Sequence, residues 1–335
     1  MFSHFSDEQL ARLARCASVV SLPAEARVIQ EGANSRDVFL LCGGTIRIQR
    51  QTPYGLFTLA SLGPGSLFGE TSYIDRGPRT GDAVVATAAA ELVAFDSAAL
   101  DAAVQEDERF HLALSWLFWK SNSGKLRLTS EKLNKIFEEP GGPAACQPIA
   151  PLQPGSDLSV DLATKRKLFA EMKLSGPEAT FLAALSREKA FAPRQVIFRE
   201  GERADEMYVV LEGRVMISKH IPGAGEEALS FIDRGGYFGE MGLIDDAPRT
   251  ADAKAHDGGA VVLAIPREVL QEILDVHEVS SLRLLNALCH LEACRLRLFN
   301  ERLVTWFILA GGSGISWAVD QPEVQKKALG QPLPG

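Results

Sequence analysis

The sequence predicts an α+β protein made of two antiparallel, jelly-roll-like β-rolls, each flanked by helices. Three observations lead there: an internal repeat covers most of the chain, short apolar runs sit between glycine turns in both copies, and a helix-start signature precedes each copy.

The repeat is clearest where residues 68 to 83, FGETSYIDRGPRTGDA, face residues 238 to 253, FGEMGLIDDAPRTADA. Ten of these sixteen positions are identical, at an offset of 170 residues. Upstream the match continues at an offset of 169, with VIQEGANSRDVFLLCGGTIRI from Val28 facing IFREGERADEMYVVLEGRVMI from Ile197. The one-residue difference falls near Pro53, Tyr54 and Gly55, where a hairpin loop tolerates an insertion. The repeated object is therefore a folded unit with a variable loop, not a copied motif.

Each unit reads as short strands. Val38 to Leu41 and Thr45 to Ile48 flank Gly43-Gly44, and Met207 to Leu211 and Arg214 to Ile217 flank Glu212-Gly213; both pairs are expected to be hairpins. Phe57 to Leu62 and Ala228 to Ile232 add a strand to each copy. Ala83 to Ala86 with Glu91 to Phe95, and Gly259 to Ile265, close the units. Asp7 to Arg15 and Gly176 to Ala184 are expected helices behind capping boxes, Ser6 with Gln9 and Ser175 with Glu178. Long helical patterns follow the rolls, over about 97 to 138 and 266 to 309. The expected organisation is a first domain over 1–138, a Pro, Gly and Ala-rich linker over 139–158, a second domain over 159–310 and a loose tail over 311–335.

Composition narrows the function. A net charge of −8 argues against a broad nucleic-acid surface, which needs a basic face. The five cysteines are scattered without CxxC spacing, as expected of reduced thiols. The opening residues, MFSHFSDE, carry neither a basic leader nor an apolar run, and no stretch approaches the roughly 20 apolar residues of a membrane span. A cytoplasmic protein without a membrane partner is expected. The six histidines are dispersed, which argues against a metal-binding cupin; no nucleophile pairs with a base, so no enzyme activity is expected.

The repeated segment has the chemistry to hold a small cyclic phosphodiester on a ribose. Gly69 and Gly239 let backbone approach an oxyanion, and a short helix starting at each would aim N–H groups at it. Arg79 and Arg249, each stiffened by a preceding proline, offer the two parallel donors that suit phosphate. Glu70 and Glu240 can accept from a sugar hydroxyl, which accounts for a carboxylate beside a phosphate site. Singly, each of these is an ordinary surface or strand-end residue; it is the joint pattern, repeated, that points to a site.

Residues 68 to 83 and 238 to 253 resemble the phosphate-binding cassette of the cyclic nucleotide-binding domain family, which includes the catabolite activator protein, cyclic-nucleotide-gated channels and the regulatory subunit of protein kinase A. The resemblance covers roughly residues 5 to 138 and 160 to 300, including Gly32 and Gly44, matched by Gly201 and Gly213. It implies that Glu70 and Glu240 bind the ribose 2′-hydroxyl and that Arg79 and Arg249 bind the cyclic phosphate, with backbone donors at Gly69, Ser72, Gly239 and Gly242. The first copy departs from the pattern: Thr71, Ser72 and Tyr73 stand where the second has Met241, Gly242 and Leu243, and Gly81 replaces the usual alanine. Both copies are expected to bind, the second more surely. Thr80 and Thr250 could accept from a guanine amine, as in cGMP-dependent kinase sites, yet related bacterial members pair threonine with cAMP; cAMP is favoured over cGMP. Trp116, Phe118 and Trp119, or Trp306 and Phe307, are candidates to cap the base, against ordinary core packing.

The expected role is a cyclic nucleotide receptor in signal transduction whose helices shift on ligand binding to control an unidentified protein effector. The alternative is a transcription regulator of the catabolite activator type, which would need a second recognition helix that residues 278 to 335 do not supply, so DNA is not expected as a partner. Kinase regulation is suggested by the tandem arrangement and weakened by the absence of an R-R-x-S or R-R-x-A segment; Lys165-Arg166-Lys167 reads as a solvated helix face. Leu284, Leu288, Leu291 and Leu298 sit at near-heptad spacing, either as a homodimer seam or as a helix folded back on its own roll.

Overall fold

The computed structural model describes residues 2, 5–137, 153–221, 225–244, 246–274, 281–309 and 311–312. The expected tail beyond 312 and most of the expected linker lie outside the described residues. The chain divides into two compact units, Met1–Thr129 with Leu285–Gly335, and Ser130–Leu284.

The first unit opens with α1 (Asp7–Arg15), where Ser6 and Gln9 close the expected capping box reciprocally. The strands follow: β1 (Ala17–Pro23), β2 (Arg27–Ile29), β3 (Val38–Gly43), β4 (Ile46–Thr52), β5 (Gly55–Leu62) and β6 (Leu67–Phe68). A short α2 (Glu70–Asp75) precedes β7 (Asp82–Val85) and β8 (Ala89–Phe95), then come α3 (Ser97–Glu106) and α4 (Glu108–Phe137). The helical stretch after the roll is thus two helices broken at Asp107, whose side chain accepts from the backbone of Arg109 and Phe110 at the start of α4.

Two four-stranded sheets, in the orders β1-β8-β3-β6 and β2-β7-β4-β5, face each other as an antiparallel roll. Ile29, Leu41, Ile46, Leu62, Phe68, Val85 and Leu92 fill the space between them. A second apolar cluster joins Val38, Leu67 and Phe95 to Phe110, Leu114, Leu117 and Phe118, which recur along one face of α4 at helical spacing. The expected β3–β4 hairpin does not form: β3 pairs with β6 and β8, whereas β4 pairs with β5 and β7. Gly44, at φ +83°, turns the chain out of one sheet and into the other. The β4–β5 hairpin does form, with Thr52 opposite Gly55 around Pro53-Tyr54.

The second unit holds β9 (Ser156–Asp157), α5 (Leu162–Glu171) and α6 (Gly176–Leu185), the last behind the second capping box of Ser175 and Glu178. Its roll comprises β10 (Arg187–Phe191), β11 (Val196–Phe198), β12 (Glu206–Ile221), β13 (Gly225–Ile232), β14 (Tyr237–Phe238), α7 (Met241–Ile244) and β15 (Asp252–Pro266). Here too the expected hairpin at Glu212-Gly213 is absent. One strand, β12, runs through that position and pairs with β13, β14 and β15, shifting register on either side of Glu212 and Gly213. Alternating residues such as Val210, Val262 and Ala264 point into the core. Lys165 is not on a solvated face. It is 6% exposed, donates to Ser186 O at 2.9 Å and pairs with Glu188 at 2.6 Å.

The chain continues through α8 (Arg267–Ile273) into α9 (Leu282–Leu309), which belongs to the first unit from Leu285 onward. Within that unit α9 packs on α4 through Ser115 to Asn286 at 2.6 Å and Ser123 to Glu292 at 2.6 Å. Phe307 stacks on Phe57 of β5, with ring centroids 4.5 Å apart. Of the near-heptad leucines, Leu288 is fully buried and Leu298 is exposed. No helix among the described residues is long and apolar enough to cross a membrane.

Candidate functional site

In the first unit β6 ends at Phe68 and the chain turns through Gly69, at φ +87°, into α2. A side chain at Gly69 would put its Cβ 2.8 Å from both the Arg79 guanidinium and the Asp37 carbonyl, so only glycine fits. Arg79 arrives after Pro78 with its backbone fastened to the loop after β2: its N–H donates to Ala33 O at 2.9 Å and its carbonyl accepts from Gly32 at 3.0 Å. Asp82 fixes the same loop by accepting from Glu31 N at 2.7 Å.

The Arg79 side chain is 4% exposed and donates to Gly69 O at 2.8 Å, Asp37 O at 2.6 Å and Ser35 Oγ at 3.1 Å. Those bonds use three of the five guanidinium N–H groups and leave one on each Nη, the geometry that suits two oxygens of one anion. Burial pushes this guanidinium below its ordinary value, and the Asp37 and Glu70 carboxylates oppose the shift. An arginine nonetheless stays charged, so the pocket holds a desolvated cation.

Glu70, the first residue of α2, is fully buried. Its Oε1 accepts from Ser121 Oγ at 3.0 Å and pairs with Lys125, both from α4. Its Oε2 meets no donor among the described residues. Ser72 is buried two residues later and donates to Pro78 O at 3.3 Å. Thr71 and Thr80 are half-buried beside them.

The second unit builds the same arrangement from the matching residues. Arg249 is 6% exposed and donates to Gly239 O at 2.5 Å and Glu206 O at 2.6 Å, the counterparts of Gly69 and Asp37. Its backbone pairs with Glu202 O at 2.8 Å and Gly201 N at 2.9 Å, and Asp252 accepts from Glu200 N at 2.8 Å. Burial pushes the Arg249 guanidinium down as well. Glu240 is fully buried, and a Cβ at Gly239 would lie 2.6 Å from Arg249 Nη1. Gly242 has no room for a side chain, since its Cβ would meet Ala204 at 2.5 Å; Met241 and Thr250 are half-buried, with the Thr250 hydroxyl 4.0 Å from the Met241 sulfur.

One contact differs in kind. Where Ser35 accepts from the first arginine, the second repeat has Ala204 and instead lays the Phe198 ring 4.1 Å from the Arg249 guanidinium. Cation–π attraction takes the place of a hydrogen bond.

The aromatic base-capping candidates in the first unit are occupied in packing. Trp119 is buried with its ring 5.1 Å from Trp116, and Phe118 meets Tyr73 of α2 edge-on at 5.4 Å. The residues that the sequence alone did not single out are Ser35, Asp37, Ser121 and Lys125. The first two lie in the repeated segment after Val28, and alignment with Ala204 and Glu206 could have drawn attention to them. The last two lie in α4, where nothing local marks a helix residue as facing a carboxylate. No group of three or more metal-ligating side chains occurs among the described residues.

A duplicated β-roll whose buried arginine and carboxylate are set by a glycine turn and a short helix defines a tandem ligand-binding module. The chain belongs to the cyclic nucleotide-binding domain family, which matches residues 19–107 and 188–277, more than half of its length. Among curated relatives, it is 23% identical over 267 residues to the cAMP-dependent protein kinase regulatory subunit of Mycosarcoma maydis, covering 76% of this chain and 42% of that protein. It is 22% identical over 268 residues to the cGMP-dependent protein kinase egl-4 of Caenorhabditis briggsae, covering 80% and 29%. The chain thus spans less than half the length of either relative. The crystal structure of the regulatory domain of Toxoplasma gondii PKA with cAMP aligns over 80% of this chain and 85% of that one, at 19% identity and a TM-score of 0.29.

Proposed function

We propose that this protein is a cytoplasmic cyclic nucleotide receptor that takes one ligand in each repeat, favours cAMP over cGMP, and controls a protein effector by moving its helices. It acts by binding and performs no chemistry on the nucleotide. One observation carries the reading: the same buried arginine–carboxylate pair is built twice, from corresponding residues with corresponding backbone partners.

A buried guanidinium with an N–H to spare on each Nη is costly unless an anion uses them. A buried carboxylate oxygen without a donor, as at Glu70 Oε2, is costly in the same way, and a ribose hydroxyl supplies what it lacks. A ring-closed phosphate on a ribose presents both groups at once. Arg79 and Arg249 would take the phosphate and Glu70 and Glu240 the 2′-hydroxyl. The backbone at Gly69, Thr71, Ser72, Gly239, Met241 and Gly242 would line the cradle, with Thr80 and Thr250 toward the base. The relatives named for cAMP- and cGMP-dependent kinases favour a regulatory role over a DNA-binding one.

The deciding experiment is calorimetric titration of the full chain with cAMP, cGMP and a cyclic dinucleotide, repeated with Arg79→Ala and Arg249→Ala. The expected result is two sites, each lost with its own arginine. Binding that survives both substitutions together would overturn the assignment.

A further inference from the structure

We propose that Arg297, on the C-terminal helix α9, is a positioning residue for the first nucleotide site: it clamps the turn that sets Glu70 against Arg79. The inference rests on the cyclic nucleotide reading of that site and adds a determinant from far outside the repeated segment.

The turn between α2 and Arg79 comprises Asp75, Arg76, Gly77 and Pro78. Asp75 ends α2, the helix that Glu70 begins, and Pro78 adjoins Arg79, so the geometry of these four residues fixes the two ligand-binding side chains relative to each other. It is not a relaxed turn, for Arg76 adopts φ +55°, an unfavourable conformation for a residue with a Cβ. A contact that holds it lowers that cost.

Arg297 does so at both ends. Its Nε and Nη2 donate to Asp75 Oδ2 at 2.9 and 2.6 Å, and its Nη1 donates to Pro78 O at 2.7 Å. Asp75 completes the brace from within, its Oδ1 accepting from Gly77 N at 2.9 Å. The Asp75 side chain is only 6% exposed, so this ion pair is shielded from water and stronger than a surface pair. Neighbouring contacts hold α9 in register: Glu301 pairs with Arg50 of β4, and Phe307 stacks on Phe57.

The sequence around the clamp is fitted to it. A Cβ at Gly77 would lie 2.6 Å from Arg297 Nη2, so a side chain at residue 77 would push the guanidinium out of this position. The second repeat has Ala247 at the matching position. The three bonds of the Arg297 guanidinium all go to the turn of the first site.

The test uses the full chain with Arg249→Ala, so that only the first site titrates with cAMP. Adding Arg297→Ala should weaken that titration about tenfold or more, the scale of losing a charge-assisted contact. Arg297→Lys, which can reach Asp75 but cannot bridge to Pro78 O, should recover part of the loss. Gly77→Ala should act in the same direction by pushing the guanidinium away. A parallel series on Arg79→Ala, which titrates the second site alone, should show no change on Arg297→Ala. First-site affinity that is unchanged or tighter in Arg297→Ala would overturn the proposal, as would an equal loss at both sites, which marks a general fold defect. If the Arg249→Ala protein with Arg297 intact binds no cAMP, the nucleotide reading of the first site itself fails, a result distinct from any of these.

Discussion

Ser121 of α4 donates its hydroxyl to Glu70 of α2 at 3.0 Å, in an interior where the Glu70 side chain is fully buried. A helix outside the cassette thus shares the carboxylate expected to read the sugar. Glu70→Gln should weaken cAMP binding at the first site by about ten- to a hundredfold, because a charged acceptor becomes neutral beside Lys125. Titration with 2′-deoxy-cAMP separates the causes. The native site should discriminate against the analogue and the variant should hardly do so, while equal discrimination by both would exclude Glu70 as the hydroxyl acceptor.

Replacing either arginine with lysine keeps the charge and removes the fork. Arg79→Lys and Arg249→Lys should each cost their own site at least about tenfold in affinity. Both also forfeit the paired donation to two backbone carbonyls that the guanidinium makes, to Gly69 and Asp37 in one site and to Gly239 and Glu206 in the other. Isothermal titration of each single variant against the native protein measures it.

The two arginines are steadied by different forces, and the difference can be read in stability. Ser35→Ala removes a neutral acceptor from Arg79 and should cost about 1 kcal/mol of stability or less. Phe198→Leu removes the ring under Arg249 and also core volume, so it should cost more, roughly 1 to 3 kcal/mol. Denaturant midpoints for the two variants give the comparison.

Acidification should loosen the α4–α9 contact. Burial pushes His111 below its ordinary value, outweighing the nearby Glu108 carboxylate. Ser115 donates to Asn286 Oδ1 at 2.6 Å, so the Asn286 amide nitrogen faces His111 Nε2 at 3.2 Å as a donor, and the ring nitrogen accepts in its neutral form. Below the ordinary histidine value the unfolded chain binds a proton that the folded chain refuses. Stability therefore falls as pH drops through that range, until the folded-state value is reached. His111→Gln removes this proton, and its stability should decline less between pH 7.5 and 5.5 than that of the native protein.

Both capping boxes and both cassettes were legible in the chain, because each depends on residues a few positions apart. Ser6 with Gln9, and Gly69-Glu70 with Arg79, carry their geometry in their spacing. The path of β3 into β4 was not. Gly43-Gly44 reads as a hairpin turn, while the same glycines serve a corner between two sheets; local propensity does not distinguish the two. Lys165 looked solvated because lysine usually is, and its burial follows from Ser186 O and Glu188, some twenty residues away. Arg297 could not have been found by pattern at all. Its partners are brought to it only by the return of α9 over the first roll.

That return has a consequence for how the molecule is made. Arg297 meets Pro78 across 219 residues of chain, so at ribosomal speeds of about 5 to 20 residues per second the first roll waits roughly 10 to 45 s for its brace. The pocket synthesised first is the one finished last, and a fragment ending after the first roll carries an incomplete copy of it.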